Sequence, residues 1–217
     1  MSRNTSRTII IPTTLKTLTK SMLAISLSVA GMAHAELYSS VTFFGDSLTD
    51  GGYFSPITKD IYGLAESGQF TTNPDNTWAT SFAEQLGTTS VANTYDGSQT
   101  GNNYSIGGAR AGEETVQVFP TSPTSTITVD VASTNSQVNN YLANNRVDPN
   151  GLYVVWAGAN DLSVGAGDAA VVSQIETVQA LKNNGAKYIL VPNIPDLGLT
   201  PRAIDLGPGT QQFLTSN

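Results

Sequence analysis

Residues 41–50, Val-Thr-Phe-Phe-Gly-Asp-Ser-Leu-Thr-Asp, constrain the fold more than any other stretch of this chain. Apolar and β-branched residues that stop abruptly at Gly45-Asp46-Ser47 describe a buried strand ending where a side chain is presented. Gly45 allows a sharp bend, and Ser47 follows the carboxyl end of the strand, the edge at which open α/β sheets bind ligands. Taken alone, the same residues also suit a strand-to-loop turn with a capping Asp and Ser.

Further segments fit a sheet alternating with helices. Leu152-Tyr153-Val154-Val155-Trp156 is a near-continuous apolar run, as a parallel sheet covered on both faces requires, and it ends in Gly158-Ala159-Asn160-Asp161. After a turn and cap at Asn73–Asn76, Trp78, Phe82 and Leu86 fall on one face of a helix that ends before Gly87. Trp78 is expected to anchor the core beneath it. Asp130 is the expected cap of a helix whose apolar positions include Val131, Val138, Tyr141 and Leu142. Val171, Val172, Ile175, Val178 and Leu181 mark the face of another helix, closed by Asn184-Gly185, and Tyr188–Val191 reads as the next strand. Strand, helix and strand in that order imply a right-handed parallel crossover. Residues 51–70 and 113–130 read as loops, the second with an extended piece, and Thr210–Ser216 as the opening of a helix.

The Gly45-Asp46-Ser47-Leu48 stretch resembles the first signature block of the GDSL (SGNH) esterases and lipases. Asn102-Asn103-Tyr104-Ser105-Ile106-Gly107-Gly108-Ala109-Arg110-Ala111-Gly112 resembles the second block and Gly158-Ala159-Asn160-Asp161 the third, in the family's order. The resemblance runs from about Thr42 to Pro201 and is strongest to the autotransporter-type secreted esterases. It implies a flavodoxin-like three-layer α/β/α fold with a mostly parallel sheet, the SGNH hydrolase fold. It also implies Ser47 as nucleophile, with Gly108 (or Gly107) and Asn160 supplying oxyanion donors. A glycine N–H admits close approach of a carbonyl, and a neutral amide donates to developing charge without titrating. No metal and no organic cofactor is implied, and the partner is a small-molecule or lipid ester.

The first thirty-five residues carry Arg3, Arg7, Lys16 and Lys20, no acid, and an apolar stretch from Met22 to Ala33 before Ala33-His34-Ala35. That is the pattern of a secretory signal peptide cleaved after Ala35. It predicts an exported protein, periplasmic, cell-surface or secreted in a bacterium, with residues 36–217 as the hydrolase domain. The apolar core is too short for a stable membrane span. The domain keeps six basic residues against seventeen acids, a net −11, which argues against nucleic acid and anionic membrane surfaces. No cysteine is present, so disulfides and thiolate metal sites are excluded. Gly165-Ala166-Gly167-Asp168-Ala169-Ala170 matches a loose dinucleotide pattern, but it lies too far beyond its strand for that role.

A serine nucleophile needs a base and a group to orient it. In the resembled family both come from a late Asp-x-x-His block. Here the single histidine is His34, within the signal peptide, and no such block occurs by Asn217. The domain is therefore expected to be truncated at its C-terminal side and inactive, or nearly so, as it stands. An exposed Asp46 or Asp161, with an ordinary pKa, would be a poor substitute. The alternative is a non-catalytic, degenerate hydrolase domain that binds esters or glycans.

Overall fold

The computed structural model describes residues 37–63, 68–71 and 76–216, so the signal peptide and most of the Asn73–Asn76 turn lie outside the described residues. The central strand β1 (Val41–Gly45) is buried along its whole length. It pairs in parallel with β4 (Leu152–Trp156), Val41 opposite Leu152 and Gly45 opposite Trp156. β4 pairs in parallel with β5 (Tyr188–Leu190). On the other side of β1 the second block lies extended. Phe43 N–H donates to Asn102 O (2.9 Å), Tyr104 N–H to Phe43 O (2.8 Å) and Ile106 N–H to Gly45 O (3.1 Å). Residues 91–93 flank that segment in turn.

Helices cover both faces. On one, α3 (Thr134–Asn144) and α5 (Gly167–Asn183) bring Val138, Tyr141 and Leu181 against Phe44, Tyr153 and Val155. On the other, α2 (Trp78–Gln85) packs Ala79 and Ala83 against Val41, Phe43, Leu152 and Val154. The expected α/β/α layering with a parallel sheet is thus present. Alternation along β1 explains it: Phe43 and Phe44 point to opposite faces, and each finds a helix.

Several local expectations are corrected. The 51–70 stretch contains a helix, α1 (Ser55–Tyr62), with Pro56 in its first turn, where a missing N–H costs nothing. Residues 113–130 are not a loop: they supply most of an antiparallel hairpin, β2 (Thr115–Ser122) and β3 (Ser125–Val131). Its Phe119, Val129 and Val131 close a third apolar cluster with Phe54, Ile57, Ile106 and Ala109. Asp130 and Val131 therefore belong to a strand, and Ser133 caps α3 by accepting from Ser136 N–H. The chosen face of α5 is also rotated. Val171, Val172 and Ile175 are more than half exposed, while Ala170, Thr177 and Leu181 are buried. Small side chains let the helix lie close: Ala170 packs against Ala111 and Ala157. On β5, Tyr188 and Leu190 are exposed. By the β4 register they share the face of Leu152 and Val154, beside α2.

Beyond β5 come a short 3₁₀ turn (Leu197–Leu199), α6 (Pro201–Asp205) and α7 (Pro208–Ser216), the last containing the predicted Thr210–Ser216 helix. Among the described residues no helix is long and apolar enough to cross a membrane.

Gly45 is needed for a reason other than a bend. A Cβ there would overlap the carbonyl oxygen of its β4 partner, Trp156. Gly45→Ala is expected to destabilise the chain by about 1–3 kcal/mol through overpacking against rigid backbone. Gly209→Ala, with open space around it in α7, is the control and should be neutral or stabilising. Urea denaturation of both variants measures the contrast, and equal midpoints would contradict it.

Candidate functional site

Ser47 sits half-buried in the turn that follows β1. Asp46 starts this turn. Its carbonyl accepts from Thr49 N–H (3.0 Å) and Asp50 N–H (3.1 Å), and its carboxylate from Leu48 N–H (2.9 Å). The Ser47 hydroxyl and backbone N–H have no hydrogen-bond partner among the described residues, so both are available to a ligand.

The turn is fastened to β1 from behind by Gln137, a buried residue of α3. Its side-chain oxygen accepts from Gly45 N–H (2.9 Å), and its amide donates to Gly45 O (3.0 Å) and to Ala132 O (3.1 Å). A strand would offer the same pair of groups. Here one side chain does so at the point where the pairing must stop for Ser47 to emerge.

The second block forms a turn at residues 107–111 that is held by side chains of the other two blocks. Asp50 accepts from Gly107 N–H (2.7 Å) while its other oxygen accepts from Gly52 and Tyr53 N–H (both 2.7 Å). Asn160 donates to Ala109 O (2.8 Å), and Asp161 accepts from Ala111 N–H (3.0 Å). Asn160 and Asp161 lie in a short helix, α4 (Ala159–Leu162), entered through Gly158 at a positive φ of 112°. Buried Asn103 adds a further tie, donating to Thr49 O (2.8 Å) and accepting from Ser105 N–H (3.1 Å). Ser47, Gly108 and Asn160 are thus linked through a few hydrogen bonds.

The two glycines of this turn differ. Gly107 has committed its N–H to Asp50, and a Cβ on it would run into the ring of Phe70. Gly108 has φ of +84°, a conformation that costs an L-residue energy, and a Cβ there would stand in ordinary contact with Gln117 Oε1 at 3.7 Å. Its N–H has no partner among the described residues. Geometry therefore leaves Gly108, rather than Gly107, with a donor to offer.

Three carboxylates surround the serine turn, and the expectation that Asp46 and Asp161 are exposed, with ordinary pKa values, is wrong. Asp46, Asp50 and Asp161 are all buried. Loss of hydration pushes Asp46 up to about 6, with help from the charges of Asp161 and Asp50 and against the Leu48 N–H. Burial likewise raises Asp50 to about 6 despite its three N–H donors. Asp161 is raised by burial and held back by Ala111 N–H and by Arg110. None of the three bonds to the Ser47 hydroxyl.

Sequence reasoning put forward Ser47, Gly108 and Asn160 as site residues but gave no structural role to Asp50, Asn103 or Gln137. The only signal for Asp50 and Asn103 was their position inside the quoted blocks. Gln137 had none, because its partner Gly45 lies ninety-two positions away.

A lipase and acylhydrolase fold with these three blocks is the class that architecture and site define. The GDSL-like Lipase/Acylhydrolase family model matches residues 41–216, and the chain belongs to that family. It is 35% identical over 195 residues to Lipase 1 of Photorhabdus luminescens, covering 85% of this chain and 26% of that protein. It is 33% identical over 223 residues to Esterase EstA of Pseudomonas aeruginosa, covering 86% of this chain and 33% of the relative. It is also 24% identical over 192 residues to a phosphatidylcholine-sterol acyltransferase of Aeromonas hydrophila. The chain spans about a quarter to a third of the length of the first two.

The raised carboxyls fix a pH dependence. A folded-state pKa above the ordinary carboxylate value favours the protonated, folded form. That stabilisation is complete below about pH 4 and is lost as pH rises through about 6. Asp46→Asn keeps an acceptor for Leu48 N–H and removes the titration. Between pH 4 and pH 7 the wild type is expected to lose about 1–3 kcal/mol more unfolding free energy than the variant. Urea melts at the two pH values measure this difference, and parallel curves would contradict it.

Proposed function

We propose that this chain is the nucleophile-bearing part of an exported serine ester hydrolase. Ser47 Oγ attacks the ester carbonyl, and its proton passes to a base. The resulting oxyanion accepts from the Ser47 and Gly108 N–H groups and the Asn160 amide. Collapse expels the alcohol, which takes the proton, and water then hydrolyses the acyl-Ser47 ester. The observation that carries this reading is the 107–111 turn, tied to the Ser47 loop through Asp50 and to Asn160 through Ala109, with the Gly108 N–H left unpaired.

Family membership and the relatives named as a lipase and an esterase support ester hydrolysis as the reaction. Export rests on the basic, acid-free start, the short apolar core and Ala33-His34-Ala35. Display at the cell surface by an autotransporter is proposed by analogy with the secreted esterases this chain resembles.

The base is the part no described residue supplies. That favours a second reading, a domain that binds esters without meaningful turnover. When the base of a serine hydrolase is lost, about 10³–10⁴-fold over water can remain from the oxyanion hole and binding.

Added imidazole separates the two readings by standing in for the base. Hydrolysis of p-nitrophenyl butyrate by the 217-residue chain is expected to gain an imidazole-dependent component, which Ser47→Ala abolishes. Asn160→Ala should reduce that component by about 10²–10³-fold, the usual loss for one oxyanion donor. Rates for wild type and Ser47→Ala that stay equal at every imidazole concentration would contradict the catalytic reading.

A further inference from the structure

The β2–β3 hairpin reaches the 107–111 turn along one face of β2. Thr115, Gln117 and Phe119 alternate onto the same side of that strand. Phe119 enters the core, 5.0 Å from Phe54 between ring centres. Val129, which stands opposite Gln117 on β3, is buried in the same apolar cluster. Thr115 turns instead to Gly108, whose carbonyl accepts from its hydroxyl (3.4 Å). Gln117 lies between these two anchors, so the backbone that carries it is fixed at both ends.

The side chain of Gln117 ends over Gly108. Beyond the chain neighbours of Gly108, the first atom that a Cβ on it would meet is Gln117 Oε1, at 3.7 Å. Gln117 is exposed, and its side-chain amide has no hydrogen-bond partner among the described residues. An unspent amide therefore borders the space over Gly108, next to a backbone N–H that is also unspent. An ester group brings only acceptors, its carbonyl and alkoxy oxygens. With the carbonyl on Gly108 N–H, Gln117 Oε1 faces the substituents of the ester, and an acceptor can bond only a donor there. A hydroxyl is the neutral group that supplies one, and its oxygen can accept in return from the Gln117 amide nitrogen. It needs no counter-ion, and the amide brings none. An acidic substituent is opposed by the charge of residues 36–217, six basic residues against seventeen acids.

We infer that Gln117 is a specificity-determining residue that selects neutral esters carrying a hydroxyl close to the ester group. The position of the ester carbonyl rests on the proposed role of Gly108, whereas recognition of the hydroxyl needs no serine chemistry. The hairpin is then more than a cover for Ile106 and Ala109. Thr115 holds the carbonyl of Gly108, and Gln117 reads what is bound in front of it.

The hydroxyl has two sources, the alcohol and the acyl side of the ester, and one set of ligands separates them. The 217-residue chain carrying Ser47→Ala is titrated with propyl butyrate, glycerol monobutyrate and propyl 3-hydroxybutyrate, and Kd is read by saturation-transfer NMR. A hydroxylated ester is expected to bind about two- to tenfold more tightly than propyl butyrate, the gain from one net hydrogen bond. Tighter glycerol monobutyrate places the hydroxyl on the alcohol side, and tighter propyl 3-hydroxybutyrate places it on the acyl side. Gln117→Met, added to the same chain, keeps the reach of the side chain and removes its polar atoms. It should erase the preference while leaving the affinity for propyl butyrate unchanged. Equal affinities for all three esters, or a preference that survives Gln117→Met, would overturn the assignment. A Gln117-dependent preference in a protein whose imidazole-assisted hydrolysis does not depend on Ser47 would keep the assignment and reject the hydrolase reading alone.

Discussion

The hydrogen bonds that Asp50, Asn160 and Asp161 extend to residues 107–111 hold together three segments far apart in sequence. Each bond uses a backbone group that would otherwise be buried without a partner or compete for solvent. Their result is selective: Gly107, Ala109 and Ala111 are each tied down, while the N–H of Gly108 is left unspent. A free donor at Gly108 between fixed neighbours is preorganised, which is what an oxyanion site requires. The sheet serves this arrangement. Parallel pairing of β1 with β4 brings the Ser47 turn and the Asn160 helix to the same edge, and the second block follows β1 on its other side.

β1 ends at Gly45, whose carbonyl also accepts from Ile106 N–H, and the remaining bonding capacity of its backbone is met by a side chain. Gln137 takes that role with both ends of its amide, so α3 has a function beyond covering the sheet. The buried acids bring an opposite tension. Asp50 and Asp161 are useful as acceptors, yet burial of three carboxyls raises their proton affinity and makes the region inhospitable to a free anion.

Much of this was legible in the sequence because the blocks join strong local signals to short spacing. The apolar runs of β1 and β4 gave their strands, and the residues after each placed the candidates Ser47 and Asn160 at the strand ends. Periodicity failed where size misled it. On α5 the large residues Val171, Val172 and Ile175 drew attention, whereas close packing selected Ala170 and Thr177. The hairpin was hidden because most of its side chains are exposed, which leaves no clear apolar alternation, and only Phe119, Val129 and Val131 reach a core. Asp46 and Asp161 were misjudged because burial is a tertiary property that adjacent residues do not encode.

The central claim, that Ser47, Gly108 and Asn160 form one acyl-transfer site, is tested most directly by a crystal structure of the chain with butyl boronic acid. Its trigonal boron can bond Ser47 Oγ and become a tetrahedral anion like the one proposed. The account expects one boronate oxygen at about 2.7–3.1 Å from the Ser47 and Gly108 nitrogens and the Asn160 amide nitrogen. A boronate on Ser47 whose oxygens avoid Gly108 and Asn160, or one bound at another residue, would contradict it.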